Sequence, residues 1–307
     1  MVPTRTETAA DPVVRRLASA VLVFTVAVIL GGSVVRATES GAGCGDQWPR
    51  CEGHIIPWSA DGSTAIEFTH RAMTAMLGVL MIALVVTVVR RTAAAAPIRH
   101  ALGYAAAFFV AEVAIGALLV VFGWVEDDAS LGRVIALTVH LINTFMLLGA
   151  LTMVVWLARG GHPPQLDTTR LAHRLVLAGA LVLLVVSASG ALNALADTLY
   201  PVNLVTTGDG SPTHFLARLR VLHPLVAVAG GTAVFVLAGR LATNSTAGIT
   251  RGLRAVVLGQ FAMGVINITL LTPVETQVLH LLLADVLWIL WVLLAAAVTA
   301  MPVAEPA

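Results

Sequence analysis

Eight apolar segments, each long enough to cross a lipid bilayer, constrain this chain more than any other feature of its sequence. They are Val14–Val35, Ile66–Val89, Ile98–Gly123, Val134–Leu157, Leu171–Leu192, Phe215–Ala238, Leu253–Leu271 and Gln277–Ala300. A helix needs about 20 residues to cross a hydrocarbon core that is ~30 Å thick. Charged residues make up only 11% of the chain, whereas soluble domains average about 25%. The sequence therefore predicts an all-α membrane protein with eight transmembrane helices in contact with membrane lipid.

The 18 basic residues, all of them arginine, are divided unequally between the two sides of the predicted helices. The side that holds the N-terminus carries 12: Arg5, Arg15, Arg16, Arg90, Arg91, Arg99, Arg159, Arg170, Arg174, Arg240, Arg251 and Arg254. The other side carries 6: Arg36, Arg50, Arg71, Arg133, Arg218 and Arg220. Because basic residues are enriched in cytoplasmic loops, both termini are predicted to be cytoplasmic. The net charge of +1 argues against a nucleic acid partner.

The two halves of the chain resemble each other in three places. The matched pairs are Ser40-Gly41 with Ser189-Gly190, at the ends of the first and fifth predicted helices, residues 111–116 with 259–264, and residues 139–141 with 279–281. The matches occur in the same order at similar spacing. We therefore predict two tandem four-helix bundles, residues 1–160 and 161–307, related by a pseudo-two-fold duplication.

Both cysteines of the chain, Cys44 and Cys51, fall in the predicted loop between the first and second helices. The arginine distribution places this loop outside the cytoplasm, where disulfides form and persist. The pair is expected to form a disulfide, and two free thiols are the alternative.

Four of the nine histidines lie inside predicted helices, one in each even-numbered helix: His70, His140, His223 and His280. Each is expected one or two turns from the outer end of its helix. Ionisable groups at membrane depth are costly and usually functional, and imidazole is an axial ligand of haem iron. The pattern predicts two bis-histidine haem sites, one in each half. The alternative is that these histidines only form hydrogen bonds between helices. Zinc is disfavoured because no cysteine or carboxylate cluster completes a tetrahedral site in both halves.

Arginines accompany two of these histidines. Arg71 follows His70 directly, and Arg218 and Arg220 come just before His223. Guanidinium groups suit the geometry of carboxylates. These three arginines are therefore candidate partners for haem propionates at the outer surface.

A carboxylate distinguishes the first half from the second. Glu67 lies three residues before His70, on the same helix face, whereas Arg220 occupies that place before His223. Glu67 can shuttle protons or orient a substrate or an oxygen species. Alternatively, it is an acidic residue that favours a helix start.

Two further acidic residues fall inside predicted helices. Glu112 lies in the third helix and matches Gln260 of the second half, and Asp285 lies in the eighth helix five residues after His280. Both are expected to be structural.

Several of these motifs resemble those of haem A synthases. Residues 31–41 (GGSVVRATESG), followed by Cys44, Trp48-Pro49 and Cys51, resemble the exit of the first helix and the cysteine loop of that family. Residues 67–71, Glu-Phe-Thr-His-Arg, resemble its E-x-x-H-R motif, and the other three helical histidines match its remaining ones. The resemblance covers the chain from about Arg15 to Ala300.

The resemblance implies a membrane oxidoreductase that converts haem O to haem A for haem–copper terminal oxidases. A ring methyl group is oxidised to a formyl group through hydroxylated intermediates. The pair His223 and His280 would hold a resident haem b. The pair His70 and His140 would bind the substrate haem O, with Glu67 essential nearby.

Membership also implies a plasma-membrane location, an electron donor that the sequence does not identify, and a complex with haem O synthase as a further possibility. The cysteine pair would assist catalysis or turnover of the haem. One departure is Glu112, since the family more often has glutamine there.

Two other classes of protein have the same features. A di-haem electron-transfer cytochrome would use the four histidines as haem ligands, but Glu67 would have no chemical role in it. A transporter that uses a carboxylate and histidine relay is disfavoured, because the prolines lie mostly outside the predicted helices.

Overall fold

The computed structural model describes residues 11–57, 62–200 and 215–300. Within these ranges it contains nine helices and, apart from an isolated bridge between Cys51 and His54, no β-structure. The helices are α1 (Pro12–Ala37), α2 (Gly62–Arg91), α3 (Pro97–Val121), α4 (Leu131–Ala158), α5 (Leu171–Leu199), α6 (Phe215–Leu219), α7 (Leu222–Arg240), α8 (Ala247–Thr269) and α9 (Val274–Thr299). All except α6 are long and apolar enough to cross a membrane. The prediction of an all-α membrane protein with eight spans is therefore confirmed.

Local sequence explains how α1 begins. Asp11 accepts a hydrogen bond from the backbone N–H of Val13 at 2.8 Å, and Pro12 occupies the first helical position. Such a cap satisfies backbone donors that have no partner within the helix. The Arg91 side chain, at 3.0 Å, and the N–H of Val13 together hold the pKa of the Asp11 carboxyl below its usual range.

The fifth span is longer than the apolar segment predicts. The segment ends at Leu192, but α5 continues to Leu199. Its last turns contain Asn193, which donates to Asp197 at 2.7 Å, and Asp197 in turn pairs with Arg220 at 2.7 Å. Because these polar groups are paired with one another, the helix continues beyond the point where apolar sequence ends.

The observed end of α5 at Leu199 corrects one of the sequence matches between the two halves of the chain. Gly190 lies within α5, whereas Gly41 follows the end of α1 at Ala37. The pairing of Ser40-Gly41 with Ser189-Gly190 as two helix ends is therefore wrong.

The sixth span is interrupted. The apolar segment predicts one helix over Phe215–Ala238, but α6 ends at Leu219 and α7 begins at Leu222. Pro224 lacks an N–H and cannot donate to the carbonyl of residue 220, which ends a continuous helix there. As a result His223 lies in the first turn of α7, whereas the other three histidines lie in the second or third turn of their helices.

The helices form two sets joined by a shared core. In one set α1 packs against α2 and α3 packs against α4, and in the other α5 packs against α7 and α8 packs against α9. Helix α4 also contacts α5 and α9. One buried apolar cluster contains residues of the first four helices, α1, α2, α3 and α4. In a second cluster, Phe145 and Leu148 of α4 pack with Trp288 and Trp291 of α9. The division at residue 160 and the duplication stay predictions.

Candidate functional site

His223 of α7 and His280 of α9 face each other, with ring centroids 6.5 Å apart and ring planes at 84°. A metal–imidazole bond is roughly 2 Å long and the ring centre lies about 1 Å beyond the nitrogen, so two axial rings are centred about 6 Å apart. The observed spacing therefore fits an iron atom between the rings. His223 Nδ1 lies 3.0 Å from Ser189 Oγ of α5. The distance between the two rings is therefore compatible with a bis-histidine haem site.

His70 of α2 and His140 of α4 are the corresponding histidines of the first half. Nδ1 of each ring is buried without a hydrogen-bond partner, and the same holds for His280. Within the described ranges, the rings of these three histidines form no hydrogen bond to a neighbouring helix. Bonding between helices therefore has support at His223, through Ser189, and a longer contact of 3.6 Å joins His140 to Glu112.

A glycine from a neighbouring helix packs against each of the four rings. The pairs are Gly32 of α1 with His70, Gly116 of α3 with His140, Gly190 of α5 with His223, and Gly264 of α8 with His280. A Cβ on Gly32 or Gly190 would lie 3.1 Å from its ring. Side chains at these positions would therefore compete with the rings for space. The same order of contacts in both halves supports the proposed duplication, with Gly32 rather than Gly41 as the counterpart of Gly190.

Cys44 and Cys51 form a disulfide, as the sequence predicts, and both are buried. The loop that they close is fixed to the start of α2. Thr64 Oγ1 donates to the carbonyl of Gly43 at 2.6 Å, and a Cβ on Gly43 would lie 2.5 Å from the backbone of Ser63. Only glycine allows so close an approach, so the loop and α2 form one unit.

Glu67, which is only 3% exposed, joins this loop to α2. Its Oε2 accepts the N–H of Cys44 at 2.7 Å, and its Oε1 accepts from Arg71 Nε at 3.0 Å. Arg71 also donates to the carbonyls of Gln47 and Arg50, each at 2.8 Å. The carboxylate one turn before His70 is therefore held between the disulfide loop and an arginine. For Arg71 to pair with a propionate, it would have to exchange some of these bonds.

The other two candidate propionate partners lie near the start of α7. Arg220 pairs with Asp197 at 2.7 Å and donates to the carbonyl of Ala196 at 2.9 Å. Arg218, in α6, is exposed. The role of Arg218 and Arg220 as propionate partners stays a prediction.

Glu112 has a neighbour that the sequence does not reveal. Its Oε1 lies 3.6 Å from His140 Nδ1, and its Oε2 accepts from Asn143 Nδ2 at 2.5 Å. The hydroxyl of Thr144 also donates to this carboxylate. The only signal in the sequence is the match with Gln260, whose Nε2 donates to the carbonyl of His280 at 3.1 Å. In both halves, then, the matched residue contacts the second histidine of the pair.

Asp285 lies apart from both pairs, more than a turn further along α9 than His280. It is completely buried, and neither carboxyl oxygen has a hydrogen-bond partner in the described part of the chain. No contact assigns Asp285 to either candidate site.

The sequence is similar to known proteins along most of its length. Residues 15–292 match the family described as cytochrome oxidase assembly protein, COX15-CtaA. The chain is 42% identical to a protoheme IX farnesyltransferase of Thermus thermophilus over 288 residues, which is 90% of this chain and 46% of that relative. The chain therefore spans about half the length of this curated relative.

Shorter matches include proteins named haem A synthase. One from Exiguobacterium sp. is 30% identical over 149 residues, covering 48% of this chain and 46% of the relative. One from Lysinibacillus sphaericus is 37% identical over 97 residues, covering 31% of each. The family match over residues 15–292 shows that the chain belongs to the COX15-CtaA family of cytochrome oxidase assembly proteins, the family of the haem A synthases.

Proposed function

We propose that this protein is a haem A synthase, a membrane oxidoreductase that oxidises a methyl group of haem O to a formyl group. The product, haem A, would serve haem–copper terminal oxidases. One observation carries the proposal: Glu112 contacts a ring of the first pair and Glu67 lies one turn before His70, whereas no carboxylate among the described residues contacts a ring of the second pair. Family membership supports the same reaction.

The second pair is proposed to hold a resident haem b. His223 and His280 have a ring spacing that fits axial ligation, and Ser189 fixes the orientation of the His223 ring. Bound there, the haem would supply one-electron chemistry. No carboxylate contacts either ring among the described residues, which suits a stable cofactor rather than a reacting one.

The first pair is proposed to bind haem O. His70 and His140 would hold the substrate, and Gly32 keeps space free beside the His70 ring. Glu67 would accept or deliver a proton at its carboxylate as the methyl group is oxidised. The disulfide loop and Arg71 hold this carboxylate in place and cover it from water.

The likeness to a longer protein supports a proposed partner. A protoheme IX farnesyltransferase of Thermus thermophilus is similar to 90% of this chain. The similar region is 46% of the length of that farnesyltransferase. We propose that this protein works next to the enzyme that makes haem O, which would limit escape of an apolar substrate. The arginine distribution supports an orientation with both termini in the cytoplasm. A location in the plasma membrane is proposed from family membership.

Co-expression with a haem O synthase tests the reaction. Membranes that contain the wild-type protein should yield haem A or its hydroxylated precursor when pigments are extracted and separated. Extracts that contain haem O alone would contradict the proposal.

The Glu67→Gln variant separates this function from that of a di-haem cytochrome. A synthase should lose roughly 100-fold or more of its rate with this substitution, while its purified form keeps the absorption spectrum of the haem at His223 and His280. An electron carrier should keep both its spectrum and its function. His280→Ala serves as a control, since it should remove the resident haem from the spectrum.

A further inference from the structure

The two histidine pairs have different side chains at one matched position. In the first half this is Glu112, and in the second half it is Gln260. Both contact the histidine on the last helix of their half: Glu112 lies 3.6 Å from His140 Nδ1, and Gln260 donates to the backbone of His280. The difference is a negative charge beside one ligand and none beside the other.

The surroundings of Glu112 hold its carboxylate in place. Asn143 Nδ2 donates to Oε2 at 2.5 Å, and the Thr144 hydroxyl donates to the same carboxylate. Asn143 is further fixed by donating to the carbonyl of Phe108 at 2.9 Å. With these donors in place, the carboxylate does not need His140 as a structural partner. Its Oε1 nevertheless faces a buried Nδ1 that has no other partner.

We propose that Glu112 is a positioning residue that accepts the Nδ1–H of His140 and leaves Nε2 as the nitrogen that binds haem iron in the first site. The inference rests on the proposed function, in which His140 is a ligand of the substrate haem. The gap of 3.6 Å is slightly longer than a hydrogen bond. Such contacts often tighten when the ligand binds, and a small rotation of the imidazole closes the distance.

This hydrogen bond would make the two haem sites unequal. A carboxylate that accepts the outer N–H of a ligating histidine fixes its tautomer and raises its basicity as a ligand. His140 would therefore donate more strongly to ferric iron than His280, which has Gln260 nearby. The first site would stabilise the ferric state, and the second site would have the higher potential.

The test compares three variants of the full-length protein purified in detergent. Glu112→Gln removes the charge with little change of shape. Gln260→Glu introduces a charge at the matched position. Thr144→Val removes one donor to Glu112 but leaves the carboxylate. Ferric protohaem is titrated into each protein, and the readouts are its dissociation constant, the midpoint potential of each haem and the electron paramagnetic resonance spectrum.

We expect Glu112→Gln to weaken haem binding at the first site roughly tenfold to 100-fold and to raise the potential of that haem. The second haem should not change. Gln260→Glu should lower the potential of the second haem. Thr144→Val should shift the potential of the first haem less than Glu112→Gln does, because one hydrogen bond to the carboxylate is lost but the carboxylate itself remains.

The His140→Ala variant distinguishes an error in the role of Glu112 from an error in the proposed function. If it abolishes the first-site haem while Glu112→Gln changes neither its potential nor its resonance spectrum, the role of Glu112 is wrong and the proposed function stands. If Thr144→Val shifts the potential of the first haem as far as Glu112→Gln does, the carboxylate of Glu112 does not set that potential and the proposal also fails. If His140→Ala leaves the first-site haem intact, both the role of Glu112 and the assignment of the substrate site are wrong.

Discussion

Three of the carboxyl groups in the membrane-spanning helices, those of Glu67, Glu112 and Asp285, differ in their partners and therefore in their roles. Glu67 bonds to Arg71 and the disulfide loop, and Glu112 bonds to Asn143 and Thr144 beside His140. Asp285 has no such partner. An ionisable group inside a membrane is costly unless it is paired. Glu67 and Glu112 are therefore candidates for function. Burial of Asp285 costs free energy that no described contact offsets.

Replacement of Asp285 tests this distinction. Asp285→Val should raise the free energy of unfolding by about 1–3 kcal/mol, because it removes a buried polar group that has no hydrogen-bond partner. The measurement is unfolding in mixed detergent micelles, with the haem spectrum as a check on the native state. Asp285→Asn is the matched control and should gain less, since the amide still needs partners. A loss of haem from Asp285→Val would instead indicate a functional role for the carboxyl.

At the scale of helices, the glycines decide how closely neighbouring helices approach the histidine rings. Small residues let membrane helices pack with their backbones close together. Gly32 and Gly190 leave little room beside their rings, whereas Gly116 and Gly264 leave ordinary contact distances of 3.9 and 3.8 Å for a Cβ. Each half therefore has one glycine, Gly32 or Gly190, that contacts a histidine ring tightly.

This difference predicts the outcome of four alanine substitutions. Gly32→Ala should disturb the first haem site and Gly190→Ala the second, because the added methyl group lies 3.1 Å from the ring and must displace it. Gly116→Ala and Gly264→Ala should leave the haem spectra unchanged. Absorption and electron paramagnetic resonance spectra of the purified variants measure the effect. Equal spectra for all four variants would contradict the assigned ring positions.

At the scale of the whole molecule, the two sets of helices depend on each other. Trp288 of α9 donates its N–H to the carbonyl of Phe145 of α4 at 2.6 Å, and the two rings meet edge to face at 5.6 Å. At the end of α1 that leads into the disulfide loop, Arg36 donates to Thr198 of α5 at 2.7 Å and to Gln277 of α9 at 2.8 Å. These contacts hold the two histidine pairs in one unit.

Substitutions at Trp288 test this coupling. Trp288→Ala should lower the free energy of unfolding by about 3 kcal/mol, since it leaves a cavity between α4 and α9. Trp288→Phe keeps most of the ring and removes only the hydrogen bond, which costs about 0.6 kcal/mol on average inside membranes. Unfolding in mixed micelles measures both. Equal effects of the two variants would show that the hydrogen bond, not packing, joins the halves.

Much of the architecture follows from the sequence alone. The number of spans and the disulfide between Cys44 and Cys51 are confirmed. The rings of His223 and His280 lie close together, and their role as ligands stays a prediction. These features depend on local properties: the cost of moving a segment from water to lipid, the compartment of a loop, and the presence of an ionisable group at depth. The extended end of α5 is missed because its polar residues are paired with groups that are distant in sequence.

Only the tertiary structure places Glu112 beside His140, Glu67 on the disulfide loop and Gly32 against His70. In lipid, both the buried and the lipid-facing sides of a helix are apolar, so the sequence pattern does not mark which side faces a neighbour. The rotation of each helix about its axis is set by packing, and that rotation decides which side chain reaches which histidine. The sequence by itself therefore determined eight spans, four candidate ligands and the residues in which the two halves differ, while packing decided which of these groups lie against each ligand.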